Sequence, residues 1–217
     1  MNWAAIFDWD GVIVDSSPFH KLSWDKLADE ENRILPEGHF KKGFGMRNEQ
    51  IIPEILEWTT DPEEIVRLSN RKEELYRELI IEKGISPLPG VEDWLQELQV
   101  NDVPHAVASS TERLNIMTSL DVMEMKQQFD AIVGGEDVEN GKPDPEVFLT
   151  AAEKVSALPS QCVVFEDAHV GIEAALAAKM KVVALATTHP ADTLEDADIV
   201  VGSLAELSFQ TVVDWFE

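Results

Sequence analysis

Basic residues are scarce in this chain: 17 lysines and arginines stand against 42 aspartates and glutamates, a formal net charge of −25 over 217 residues. A field of that sign repels polyanions, so neither nucleic acid nor an anionic membrane surface is expected as a partner. It also repels small anions at long range, but salt screens charges beyond about 8–10 Å and a few local cations can then decide the matter. Cysteine is nearly absent. With Cys162 alone there can be no disulfide framework and no thiolate metal site, and its place in the run Cys162-Val163-Val164-Phe165 marks it as a small buried hydrophobe. The amino-terminal apolar run is short, cut at Asp8, with no basic region before it. Neither signal peptide nor membrane span is therefore expected, and a reducing cytoplasmic setting is. Repeats and low-complexity tracts are missing as well. The remainder is ordinary for a globular protein, 44% hydrophobic and 27% charged, and long enough to bury a core in one domain or in one domain with an insertion.

Short β-branched or apolar runs recur along the chain: around Ile6, then Val103 to Ala108, Ala131 to Val133, Val163 to Phe165, Val182 to Leu185 and Ile199 to Val201. Helical patterns separate them at Val91 to Leu98, Arg113 to Leu120, Glu146 to Val155 and Val170 to Ala178. Strands apolar on both faces and alternating with helices predict an α/β fold, a Rossmann-like parallel sheet covered by helices. Ligands of such sheets bind outside the carboxyl ends of the strands. One stretch breaks the alternation. From about Ser16 to Ser86 there is no convincing strand, only helical segments at Phe19 to Ala28, Glu49 to Trp58 and Glu63 to Ile81, the last opened by Asp61-Pro62 as N-cap and first helical residue. Pro87-Leu88-Pro89-Gly90 marks the return. The expected organisation is a core of residues 1–15 and 87–217 with an all-helical cap, 16–86, inserted after the first strand.

Four strand ends carry chemistry. Asp8-Trp9-Asp10-Gly11-Val12 follows the first apolar run, and residues two apart in an extended segment share a side, so both carboxylates can face one crevice. Such a pair supplies a nucleophile beside a proton carrier, though alone the segment reads equally well as a turn. Ser109-Ser110-Thr111 offers hydroxyls and amides that can hold phosphate oxygens, or an ordinary N-cap. In Gly141-Lys142-Pro143-Asp144-Pro145 the backbone is stiff around an ammonium, which in isolation would be a solvated turn lysine. Glu166-Asp167 ends a buried strand, where adjacent carboxylates repel each other unless a hard cation such as Mg²⁺ joins them; a helix start tolerating acids is the plainer alternative. Each signal is modest. Together, at successive strand ends, they compose a phosphoryl-transfer site.

In this order the motifs resemble those of the haloacid dehalogenase superfamily: Asp8-Trp9-Asp10-Gly11-Val12 as the first, Ser109 the second, Lys142 the third and Glu166-Asp167 the fourth. The second aspartate of the first motif resembles the phosphatase and phosphomutase branches, and the helical insertion resembles the C1 cap of the β-phosphoglucomutase and phosphoglycolate phosphatase group. The resemblance implies that Asp8 attacks phosphorus, that Asp10 protonates the leaving oxygen and then accepts a proton, that Lys142 neutralises charge, and that Ser109 with the amide of Ser110 holds phosphoryl oxygens. It implies Mg²⁺ held by the side chains of Asp8 and Asp167, the main-chain oxygen of Asp10, and Glu166 directly or through water. His20 matches a histidine near the hinge of the mutases. The segment Phe44-Gly45-Met46-Arg47-Asn48-Glu49 resembles the specificity loop, where mutases carry Lys-Gly then Ser-Arg-Glu-Asp to grip a distal phosphate; here Phe44 replaces the lysine, Arg47 stands one position early and Asn48 takes the arginine's place. Gly43-Phe44-Gly45 lacks the third glycine of a dinucleotide fingerprint. The expectation is a monomeric Mg²⁺-dependent phosphatase of small phosphorylated metabolites, sugar phosphates foremost, with a β-phosphoglucomutase as alternative. A phosphorylated receiver domain is excluded by motif order, since here the acidic pair follows the lysine.

Overall fold

The computed structural model describes residues 3–43 and 46–216, in two compact units: Met1–Asp15 with Ile85–Glu217, and Ser16–Gly84. In the first, six strands form one parallel sheet: β1 (Ala4–Phe7), β2 (His105–Ala108), β3 (Ala131–Val133), β4 (Cys162–Glu166), β5 (Lys181–Leu185) and β6 (Ile199–Val201), ordered β3-β2-β1-β4-β5-β6. Parallel neighbours cannot be joined by tight hairpins, so the connections cross the faces and cover both. Side chains alternate accordingly. Ala5, Phe7, Val107, Val163 and Phe165 share one core with Trp94 and Leu98 of the helix Val91–Val100. Ala4, Ile6, Ala106, Cys162 and Val164 share the other with Phe148 of Glu146–Lys154 and Ile172 of His169–Ala177. Phe7 stacks on Phe165 at 4.5 Å between centroids and Trp94 meets Phe165 edge-on at 5.1 Å, so truncating Trp94 to alanine would cost about 3–5 kcal/mol.

β2 begins at His105 rather than Val103 because Pro104 has no N–H to give a ladder; its carbonyl still accepts the Ala5 N–H at 3.0 Å. Cys162 is fully buried, its thiol donating to the Leu158 carbonyl at 3.3 Å, and burial pushes its pKa up to about 12.

In the second unit the helices Ser17–Glu30 and Pro62–Lys83 pack together over Trp24, Leu27, Leu68 and Leu75, with no strand among its described residues. Asp61 caps the longer helix, accepting the Glu63 N–H at 3.0 Å. The single helix expected over Glu49 to Trp58 is not formed. A short helix, Asn48–Gln50, passes into a π-helical turn, Ile51–Ile55, in which the Leu56 N–H reaches the Ile51 carbonyl at 2.9 Å. Pro53 explains the change, since it offers no N–H and its ring crowds the carbonyl four residues back. No helix among the described residues is long and apolar enough to cross a membrane.

Candidate active site

The strand order sets where a site can form. Beside β1 the connections diverge to β2 on one side and β4 on the other, which opens a crevice at their carboxyl ends. The register pairs Phe7 with Phe165, so the next residues out are Asp8 and Glu166, and the Asp8 N–H donates to the Phe165 carbonyl at 2.9 Å. Sequence adjacency adds Asp167. The carboxylates of Asp8, Glu166 and Asp167 are all buried, each offering an oxygen within 4.8 Å of the others.

Lys142 answers that charge. Its Nζ lies 2.9 Å from Asp8 Oδ1 and 2.6 Å from Glu166 Oε1, with the ammonium 4.8 Å from the centre of the Phe148 ring. Burial alone would lower the lysine pKa, but Asp8 and Glu166 outweigh it and the group is held above its ordinary value, firmly charged. Glu166 also accepts the N–H groups of Asp167 and Ala168, both at 2.7 Å. Burial nonetheless drives its pKa upward, aided by the Asp8 charge and opposed by Lys142. Asp167 is pushed up to about 8, by burial first and then by the charges of Glu166 and Asp8. Three buried acids facing one ammonium leave an excess of negative charge built from oxygen donors. That set fits a hard divalent cation, whose charge would invert these upward shifts.

Asp10 follows on the same turn and accepts the hydroxyl of Thr111 on Oδ2. Trp9 between the two aspartates is wholly buried, as period-two alternation requires. Ser109 closes β2, buried, its N–H donating to Val133 O at 3.0 Å and its Oγ accepting the Thr111 N–H at 3.2 Å; Ser110 is exposed. Thus Asp8, Lys142, Glu166 and Asp167 are joined directly, and Asp10 is tied to the Ser109 loop through Thr111. Sequence reading passed over two residues: Thr111, although it stood in the Ser109-Ser110-Thr111 run, and Thr188, whose hydroxyl donates to Asp167 Oδ2. A threonine just past an apolar strand was the available signal.

His20 and Arg47 belong to the helical unit. His20 stacks on Tyr76 at 4.3 Å and its Nδ1 lies 2.7 Å from Lys72 Nζ; burial first, then the Lys72 charge, lowers its pKa to about 3. Lys72 in turn pairs with Glu73 at 2.8 Å, and Glu73 accepts Asn48 Nδ2 at 2.6 Å. Burial works against ionisation of Glu73, yet Lys72, His20 and these hydrogen bonds prevail and bring its pKa down to about 2. Arg47 is exposed, just before Asn48–Gln50, while Phe44 and Gly45 of the same loop lie outside the described residues.

Comparison with known proteins extends this picture. Residues 5–185 match the model of the haloacid dehalogenase-like hydrolases. The chain is 38% identical over 207 residues to the chloroplastic 5-amino-6-(5-phospho-D-ribitylamino)uracil phosphatase of Arabidopsis thaliana, an alignment covering 94% of this chain and 55% of that one, so it spans about half that relative's length. It is 30% identical to the phosphorylated carbohydrates phosphatase of Thermotoga maritima, with 81% of each chain covered. Among solved structures, a β-phosphoglucomutase from Clostridium difficile superposes with a TM-score of 0.85 at 30% identity, covering 100% of this chain and 97% of that one.

Proposed function

Since the chain belongs to the haloacid dehalogenase-like hydrolases, we propose that it is one of their phosphatases, as the Arabidopsis and Thermotoga relatives are, and that it hydrolyses phosphate monoesters of small metabolites, sugar phosphates foremost, through a covalent phosphate on Asp8. The observation that carries this reading is the meeting of Asp8, Glu166 and Asp167 within 4.8 Å, with Lys142 in contact with two of them. A carboxylate attacks a phosphate ester only if the repulsion between the two anions is relieved. Lys142 relieves part of it. The acidic cluster would hold Mg²⁺ through Asp8, Asp167, the main-chain oxygen of Asp10 and Glu166, and the ion, when bound, supplies the remaining positive charge and orients the phosphoryl oxygens.

An oxygen of Asp8 bonds to phosphorus as the ester P–O bond breaks, and Asp10 gives its proton to the departing alkoxide. Water then attacks the same phosphorus, Asp10 takes its proton, and phosphate leaves with Asp8 regenerated. Thr111 keeps Asp10 in place for both transfers by donating to one of its oxygens. Ser109 and the Ser110 amide hold phosphoryl oxygens.

A mutase acting on the same intermediate must also grip a second phosphate through cations on its cap. In the helical unit the Lys72 ammonium is already matched by Glu73 at 2.8 Å, and Asn48, in the place of the mutase arginine, is neutral and bonded to Glu73. Both features favour hydrolysis. The test is a panel of phosphate monoesters assayed with and without glucose 1,6-bisphosphate. Release of phosphate from several sugar phosphates, with little conversion of β-glucose 1-phosphate to glucose 6-phosphate, is expected. Efficient isomerisation with negligible phosphate release, lost on Arg47→Ala, would establish the mutase instead.

A further inference from the structure

Three consecutive residues just past β5 each reach a different part of the acidic site. Thr187 Oγ1 donates to the Gly11 carbonyl at 2.6 Å, on the turn that carries Asp10. Thr188 Oγ1 donates to Asp167 Oδ2. His189 packs on His169 at 4.7 Å between ring centroids, at the start of the helix His169–Ala177 that follows Asp167. A loop of ordinary solvated residues has no reason to tie itself to the turn after β1, the end of β4 and the helix after it in three successive positions. Gly11 shows how closely these parts fit. Its φ is +75°, and a Cβ there would lie 1.9 Å from Asp167 Oδ2 and 2.8 Å from Thr188 Oγ1. The Asp167–Thr188 pair thus occupies the space that any side chain at residue 11 would need.

The geometry points to Thr188 as a positioning residue: its hydroxyl fixes the Asp167 carboxylate in the orientation that binds the divalent cation, while Thr187 braces the neighbouring Gly11 turn. The physical reason is rotational. A carboxylate on a short side chain turns freely about its last bond, and a cation that needs near-ideal ligand geometry pays the entropy of stopping it. A donor already seated on one oxygen stops that rotation beforehand and leaves lone pairs of the group for the metal. It also supplies a neutral partner to an acid crowded by Asp8 and Glu166, where another charge would disturb the balance with Lys142. Groups that orient metal-binding side chains in this way typically change metal affinity about 10–100-fold when removed.

This inference rests on the metal role given to Asp167 above. Its test is direct Mn²⁺ binding to the full chain by electron paramagnetic resonance, with Mg²⁺ competing, for wild type, Thr188→Val and Thr188→Ser. Valine keeps the shape of threonine and removes only the hydroxyl; serine keeps the hydroxyl and removes the methyl. Thr188→Val should weaken Mn²⁺ binding about tenfold or more while its unfolding temperature in chelator stays near that of wild type, and Thr188→Ser should bind within about threefold of wild type. Wild-type affinity in Thr188→Val would overturn the inference and leave the proposed reaction standing, as would equal losses in both variants, which would mean that packing and not the hydroxyl matters. A wild-type chain that binds no Mn²⁺ would overturn the metal role of Asp167 and this inference with it.

Discussion

Replacing Lys142 with methionine removes the ammonium that faces the buried carboxylates of Asp8 and Glu166 at 2.9 and 2.6 Å. Breaking a buried ion pair from one side costs about 3–5 kcal/mol, because the remaining charge is left without compensation. Here two acids lose their partner at once, but they can take up protons, so the net cost belongs at the lower end of that range. For a chain of this size each kcal/mol moves the unfolding temperature by about 2–4 °C, so a cost of about 3 kcal/mol gives a drop of roughly 6–12 °C for Lys142→Met in chelator. Excess Mg²⁺ should recover most of it, since the cation answers the same charge. The pH dependence has a definite sign. Asp167 is pushed up to about 8 from 3.8, so the native state binds its proton and the associated stability is lost as pH rises through 8. The Lys142 charge opposes that rise, so removing it lifts the Asp167 pKa further, and the deficit of the metal-free variant against wild type should be larger at pH 8 than at pH 6. Thermal unfolding by circular dichroism, with chelator and with Mg²⁺ at both pH values, measures all of this. An unchanged unfolding temperature in chelator, or a deficit that Mg²⁺ does not reduce, would refute the reasoning.

Asp8→Asn should abolish turnover, as an amide cannot form the acyl phosphate, whereas Asp10→Asn should keep metal binding and lose about 10²–10⁴-fold in kcat; steady-state kinetics with a good sugar phosphate separates the two. Chelation should stop phosphate release, Mg²⁺ should restore it, and Ca²⁺ should bind yet support it poorly because it favours looser, higher coordination. In the helical unit His20 is lowered to about 3 from 6.5, so the unfolded chain binds its proton first and stability falls as pH drops from 6.5 toward 3. Some of that residue remains in contact with water, so the loss by pH 4.5 is placed at about 2 kcal/mol, and denaturant titrations of His20→Gln should show a flatter acid limb.

The sheet was legible because its strands are short apolar runs, those at its centre buried on both faces, and the acidic site because Asp8, Ser109 and Glu166 stand at the ends of such runs, after Phe7, Ala108 and Phe165. Lys142 was legible only in company, since a lysine between glycine and proline is common and nothing local shows that it reaches Asp8. Where periodicity met a proline it misled, as over Glu49 to Trp58, because apolar spacing registers a helical face and not the missing N–H of Pro53. Thr188 was hidden for a different reason. Its contact with Asp167 joins residues 21 positions apart, and a single hydroxyl carries no pattern that spacing could reveal.

The central claim is a phosphate carried by Asp8, and rapid quench tests it most directly. Protein mixed with a ³²P-labelled sugar phosphate and Mg²⁺ is stopped in acid within milliseconds, digested and mapped. The account predicts a transient, base-labile label on the peptide containing Asp8 that decays as inorganic phosphate appears, and none in Asp8→Asn. Phosphate release without labelled protein, or label persisting in Asp8→Asn, would contradict it.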